Sequence, residues 1–227
     1  MRIDPGLMAR VDVVFSEVSA KPRSLGPVDV DTVTLFFALL AGLAAATAIL
    51  ILVSAVTNDR FGVIGTLRPV SVEFAAAVAV TATFGSLYLS EIVGYEPCRL
   101  CWVQRAFMYP AAGLLVTALM VGRRQGRSGS SPARTLVGAA GLLAVVGLPI
   151  AAFHRYEQAA GGIGEFCDQD NPCSLRWVEE FGVVTIPVMA GAGFAAIIAL
   201  TAVSLTGRTP IDDTQQLKPK ASTEQYS

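Results

Sequence analysis

Apolar residues in this chain fall into five long uncharged runs separated by short polar breaks: Thr32–Asn58, Phe74–Ser90, Ala106–Val121, Thr135–Phe153 and Gly182–Gly207. A helix crossing about 30 Å of hydrocarbon needs roughly 20 such residues. The three longer runs meet or approach that length unaided. The two shorter ones reach it with interfacial residues such as Tyr88, Trp102 and Tyr109, whose rings suit the headgroup layer. The pattern predicts an all-α fold, a polytopic bundle of transmembrane helices lying in a lipid bilayer.

Composition agrees: 53% of the 227 residues are hydrophobic and 15% charged, outside the range of an ordinary soluble domain. No basic stripe or aromatic-basic platform suggests nucleic acid. Residues 1–31 lack the layout of a cleavable signal, so 32–58 is read as a retained span after an N-terminal segment. Residues 70–207 hold the other four spans. Gly122–Pro132 is a polar turn, and 208–227 is expected to be a disordered tail.

Basic residues give the orientation. Arg60, Arg68, Arg123, Arg124, Arg127, Arg134, Arg208, Lys218 and Lys220 lie on one side of the spans, against Arg99, Arg105, Arg155 and Arg176 on the other. The positive-inside rule makes the second side extracytoplasmic. The N-terminal segment, with Arg2, Arg10, Lys21 and Arg23, runs against that rule if the first run spans.

All four cysteines fall on the extracytoplasmic side, where disulfides persist. Cys98 and Cys101 form a CxxC at the mouth of the third run. Pro97 suits a first helical position, which would put Cys98 in the first turn, where free N–H groups favour a thiolate. Cys101 follows on the same face, and Arg105 four residues later. A guanidinium about 4 Å from a thiolate would favour it by up to about 4 kcal/mol at an effective dielectric of about 20. Cys167 and Cys173 lie in a polar segment, 154–181, expected to be an exposed loop whose last part, 174–181, could follow the membrane surface. Two thiol pairs at a membrane edge point to redox exchange. The same residues leave two structural staples open, since four cysteines allow three pairings. A four-cysteine zinc site fits the spacing poorly, and no metal is expected.

Taken in order, the motifs resemble those of the DsbB/BdbC family of membrane thiol oxidoreductases. They are Gly85-Ser86-Leu87-Tyr88-Leu89-Ser90-Glu91, Pro97-Cys98-Arg99-Leu100-Cys101-Trp102-Val103-Gln104-Arg105, Met108-Tyr109-Pro110, His154-Arg155-Tyr156-Glu157-Gln158, Pro172-Cys173-Ser174-Leu175 and Phe181-Gly182-Val183-Val184-Thr185-Ile186-Pro187. The resemblance covers about 75–204. It implies a four-helix core in a bacterial cell membrane that reoxidises an extracytoplasmic thioredoxin-like protein of the DsbA/BdbD type. Electrons would pass from Cys167/Cys173 to Cys98/Cys101 and then to ubiquinone or menaquinone. By the same resemblance Cys167 forms the mixed disulfide with the partner and Cys173 exchanges with Cys98. Cys101 faces the quinone, with Arg105, Gln104 and His154, the chain's one histidine, around its headgroup. In vitamin K epoxide reductase-like proteins the loop cysteines precede the CxxC, and here they follow it. The family core has four spans, so 32–58 is an addition.

Overall fold

The computed structural model describes residues 29–60, 62–124, 131–161, 167 and 172–206. The N-terminal segment up to residue 28, most of the 122–132 turn and the tail from 207 lie outside these. Among the described residues, five helical segments are long and apolar enough to cross a membrane, at the five places where the apolar runs predict them. Helix α1 is Val30–Val56. The second span starts with a short α2, Val63–Leu67, continues through a 3-10 turn at Arg68–Val70, and becomes α3, Ser71–Leu87. It ends in a π-helical turn, Tyr88–Ile92. Then come α4, Arg99–Arg124, and α5, Ser131–Ala160, with Pro110 and Pro149 inside them. A two-stranded antiparallel hairpin, β1 Glu179–Glu180 and β2 Val184–Thr185, leads into α6, Ile186–Leu205.

Helices α3 to α6 form a closed ring, each packed on the next and α6 returning to α3, while α1 lies outside against α6. The ring interior is built from small residues: Ala75, Ala79, Ala111, Ala140 and Ala144 are fully buried, with Leu115, Phe194 and Ile197 filling the centre. Lipid tails are as apolar as leucine, so helices in a bilayer associate by close backbone approach and packing, which small residues permit. Leu39, Leu52, Phe84, Met120 and Leu142 point outward, as lipid contact requires.

Gly147 on α5 shows how tight this packing is. A methyl group there would fall inside van der Waals contact of the fully buried Phe194 ring. Gly147→Ala should therefore lower stability by about 1–3 kcal/mol, the usual cost of overfilling a packed core. Thermal unfolding in detergent would show it, and an unchanged midpoint would mean that the ring moves freely.

Several helix boundaries differ from the ends of the apolar runs, the second span starting at Val63 instead of Phe74. The third helix starts at Arg99, ahead of the apolar run and just after the start expected at Pro97, so Cys101 is continuous with the span. Helix α5 runs past Phe153 through His154–Gln158 and stops only at Gly161, whose φ of 88° is the left-handed turn glycine allows. His154 is thus helical and does not begin a loop. The last helix starts at Ile186, not Gly182, because Phe181 and Gly182 have φ of 54° and 70° and turn the chain between the strands. That hairpin occupies the end of the segment expected along the membrane surface.

Candidate redox site

The site forms where α4 begins. Cys98 immediately precedes the helix and its carbonyl accepts the Trp102 N–H at 3.2 Å. Cys98 therefore occupies the capping position, and Pro97 lies one residue outside the helix instead of in its first turn. The Cys98 and Cys101 sulfurs are 3.1 Å apart as free thiols. A closing movement of about 1 Å would bring them to disulfide length.

His154 reaches this pair from α5. Its Nδ1 accepts from Gln104 Nε2 at 2.8 Å, leaving the Nε2–H directed at Cys98 Sγ, 3.5 Å away. All three side chains are buried. Gln104 thereby selects the imidazole tautomer that donates to sulfur. The Cys98 thiol is held well below the usual range, first by the Cys101 hydrogen bond and then by His154, against the opposing effect of burial. A thiolate is lost as pH falls through its pKa. His154→Ala should therefore move the Cys98 thiolate titration to higher pH. Thiolate ultraviolet absorbance of the reduced protein would reveal this, and superimposable titrations would remove His154 from the account.

Cys98, Cys101 and His154 also bring three possible ligand atoms within 4.8 Å of one another, although the tautomer set by Gln104 places a proton on the His154 nitrogen that faces the sulfurs. Closing a disulfide would withdraw both thiolates, so metal binding and redox cycling exclude each other here.

Arg105 is buried one turn below Cys101. Its Nε donates to Ser86 Oγ at 2.9 Å and its Nη2 to the Ser86 carbonyl at 3.0 Å. The guanidinium also lies 5.1 Å from the centroid of the Trp102 ring. Its hydrogen bonds go to α3, not to a sulfur, so the direct thiolate pairing expected from spacing is replaced by a fixed charge beside the site. Ser86 sits next to the switch from α to π bonding, a distortion that recurs at functional sites.

Cys167 and Cys173 are joined by a disulfide, with Cα atoms 5.5 Å apart. Cys173 is buried and packs in one cluster with Cys98 and Leu100, with Cys101 and Cys167 against its edge. The expectation of a wholly exposed second pair is thus corrected: Cys167 is half-buried, and Cys173 is covered. Gln158 Nε2 donates to the Leu175 carbonyl at 3.3 Å, and Tyr95 stacks on Trp177 with centroids 5.2 Å apart. This stack fastens the two cysteine-bearing segments together. Ser86, Gln158 and Trp177 carried no sequence signal beyond their place within or near the motifs.

Below the cysteines lies a cavity of about 440 Å³ bounded by α1, α3, α4 and α6. Cys101, Gln104, Arg105 and Ser86 line one part of it, and the remainder is mostly apolar. A pocket of this size with few convergent polar groups suits a small apolar molecule with a polar end.

Comparison with known proteins agrees with this geometry. The family model described as disulfide bond formation protein DsbB matches residues 70–170. Disulfide bond formation protein C of Bacillus subtilis (strain 168) is 36% identical over 123 residues, covering 53% of this chain and 82% of that protein. Probable disulfide formation protein C 1 of Bacillus anthracis is 39% identical over 116 residues, covering 51% and 78%. The probable disulfide formation protein of Deinococcus radiodurans is 34% identical over 143 residues, covering 59% and 87%. No solved structure matches. The chain is a multi-pass membrane protein and belongs to the DsbB/BdbC family of disulfide bond formation proteins.

Proposed function

We propose that this protein is a dithiol:quinone oxidoreductase that takes two electrons from a soluble thioredoxin-like protein of the DsbA/BdbD type and delivers them to ubiquinone or menaquinone. The observation that carries the reading is the single cluster of both cysteine pairs beside a cavity bordered by Cys101, Gln104 and Arg105. The cysteine-bearing side faces out of the cytoplasm of a bacterial cell, a reading supported by the nine basic residues opposite it.

Each step is a thiolate attack on a disulfide. A partner thiolate attacks Cys167, the less buried residue of its disulfide, and Cys173 leaves as thiolate. The second partner thiol then attacks the mixed disulfide, releasing oxidised partner and a Cys167/Cys173 dithiol. Cys173 attacks Cys98 of the oxidised CxxC, and Cys101 leaves toward the cavity. Attack by Cys167 on Cys173 restores that disulfide and returns two electrons and two protons to the Cys98/Cys101 dithiol. A quinone supplies the final oxidation, accepting two electrons and two protons to become quinol. Through that step His154 holds the Cys98 thiolate, and Arg105 presents positive charge to developing oxygen anion.

The test uses purified protein in detergent, reduced thioredoxin-like partner and a soluble quinone. Loss of quinone absorbance together with partner oxidation is expected in wild type, and neither in Cys101→Ala. No turnover with any quinone, while both disulfides form and persist, would instead make the cysteines structural staples.

A further inference from the structure

Helix α1 lies outside the residues matched by the family model, yet it is tied to the rest of the bundle at both ends. At the cysteine side, Thr34 Oγ1 donates to Glu180 Oε1 of the hairpin at 2.8 Å. At the other side, Asp59 accepts from Ser54 Oγ at 2.8 Å, Ile64 N at 3.0 Å and Gly65 N at 3.3 Å, which binds the end of α1 to the start of the second span. Between these anchors Phe37, Leu40, Ala41, Ala44 and Thr47 line the cavity that borders Cys101 and Arg105. From Phe37 to Thr47 a helix rises about 15 Å, so this wall extends well beyond the polar end. The Phe37 ring fits against the bare backbone of Gly85, where an added Cβ would stand 2.8 Å from it, one residue from the Ser86 that anchors Arg105.

We propose that α1 is the tail wall of this cavity: it binds the isoprenoid chain of a quinone and makes the protein select tailed quinones over tail-less ones. The inference rests on the quinone reading above. Its basis is the division of one continuous cavity: redox and hydrogen-bonding groups come from α4 and α3, while every α1 residue lining it except Thr47 is apolar. A ligand filling both parts needs a polar head joined to an extended hydrocarbon.

The experiment compares kcat/KM for a long-tailed quinone and a tail-less quinone of the same ring, using the full chain and reduced partner. Ala44→Phe, which fills the wall, should lower the tailed-to-tail-less ratio by about tenfold or more, a size in keeping with overfilling a packed site. A ratio equal to wild type in a folded Ala44→Phe would overturn the proposal. Should Ala44→Phe fail to fold, the truncation Leu40→Ala gives the same decision: a lowered ratio supports the tail wall, and an unchanged one overturns it. If wild type reduced neither quinone, the quinone reading itself would fall, an outcome separable from any change in ratio.

Discussion

Cys167→Ser should reduce oxidation of the soluble partner almost to the uncatalysed rate while leaving Cys98 and Cys101 oxidisable by quinone. The asymmetry follows from exposure and packing. Cys167 is the more accessible residue of its disulfide, and Cys173 is covered within the Cys98 cluster. An incoming protein can approach the first sulfur and not the second, and exchange rate depends on access as well as thiolate fraction. The loss should be nearly complete, because Cys98 is itself buried and Cys101 borders the cavity between the helices. Partner oxidation is followed by thiol labelling, and the state of the CxxC by the same labelling after quinone addition and denaturation. Persistent partner oxidation would mean that the partner reaches Cys98 directly and that the order of the two pairs is wrong.

Arg105→Met should lower kcat/KM for quinone by roughly 10- to 100-fold, the range for losing a hydrogen bond to a charged group of about 1.5–3 kcal/mol. Exchange between the two cysteine pairs should be nearly unaffected. Methionine keeps an unbranched apolar stem of similar reach, so the variant removes charge more than volume. The side chain's two hydrogen bonds to Ser86 fix the guanidinium at the cavity wall, so its charge is already oriented before any ligand enters. Arg105→Lys should recover only part of the loss, since an ammonium cannot reproduce the fork that holds both Ser86 oxygens. Wild-type quinone kinetics in Arg105→Met would remove the residue from electron delivery and leave it a structural link between α3 and α4.

Much of this architecture is legible in the chain because hydrocarbon imposes a simple rule. Uncharged runs of sufficient length must be helices, and all five are. Their ends were harder to read. Apolarity marks where lipid stops and not where backbone hydrogen bonding stops, so α5 extends through the polar His154–Gln158 to Gly161. The candidate residues likewise stood out by motif, but their partners did not. Nothing in Ser86 or Trp177 marks them until α3 and α4, or the two loops, are brought together. Arg105 shows the limit of spacing arguments: helical periodicity placed it on the Cys101 face, but Ser86 on another helix decides where its guanidinium points. The contribution of α1 to the cavity was equally hidden, because an apolar run facing lipid and one facing a ligand read alike.

The central claim is that electrons from partner thiols reach a quinone through both cysteine pairs. Its most direct test is the stoichiometry of a single turnover without oxygen, with protein, reduced partner and quinone mixed in lipid vesicles. The account predicts one quinol for each partner disulfide formed, with both products absent when Cys173 is replaced by alanine. Partner disulfide without matching quinol, or undiminished quinol formation in Cys173→Ala, would contradict it.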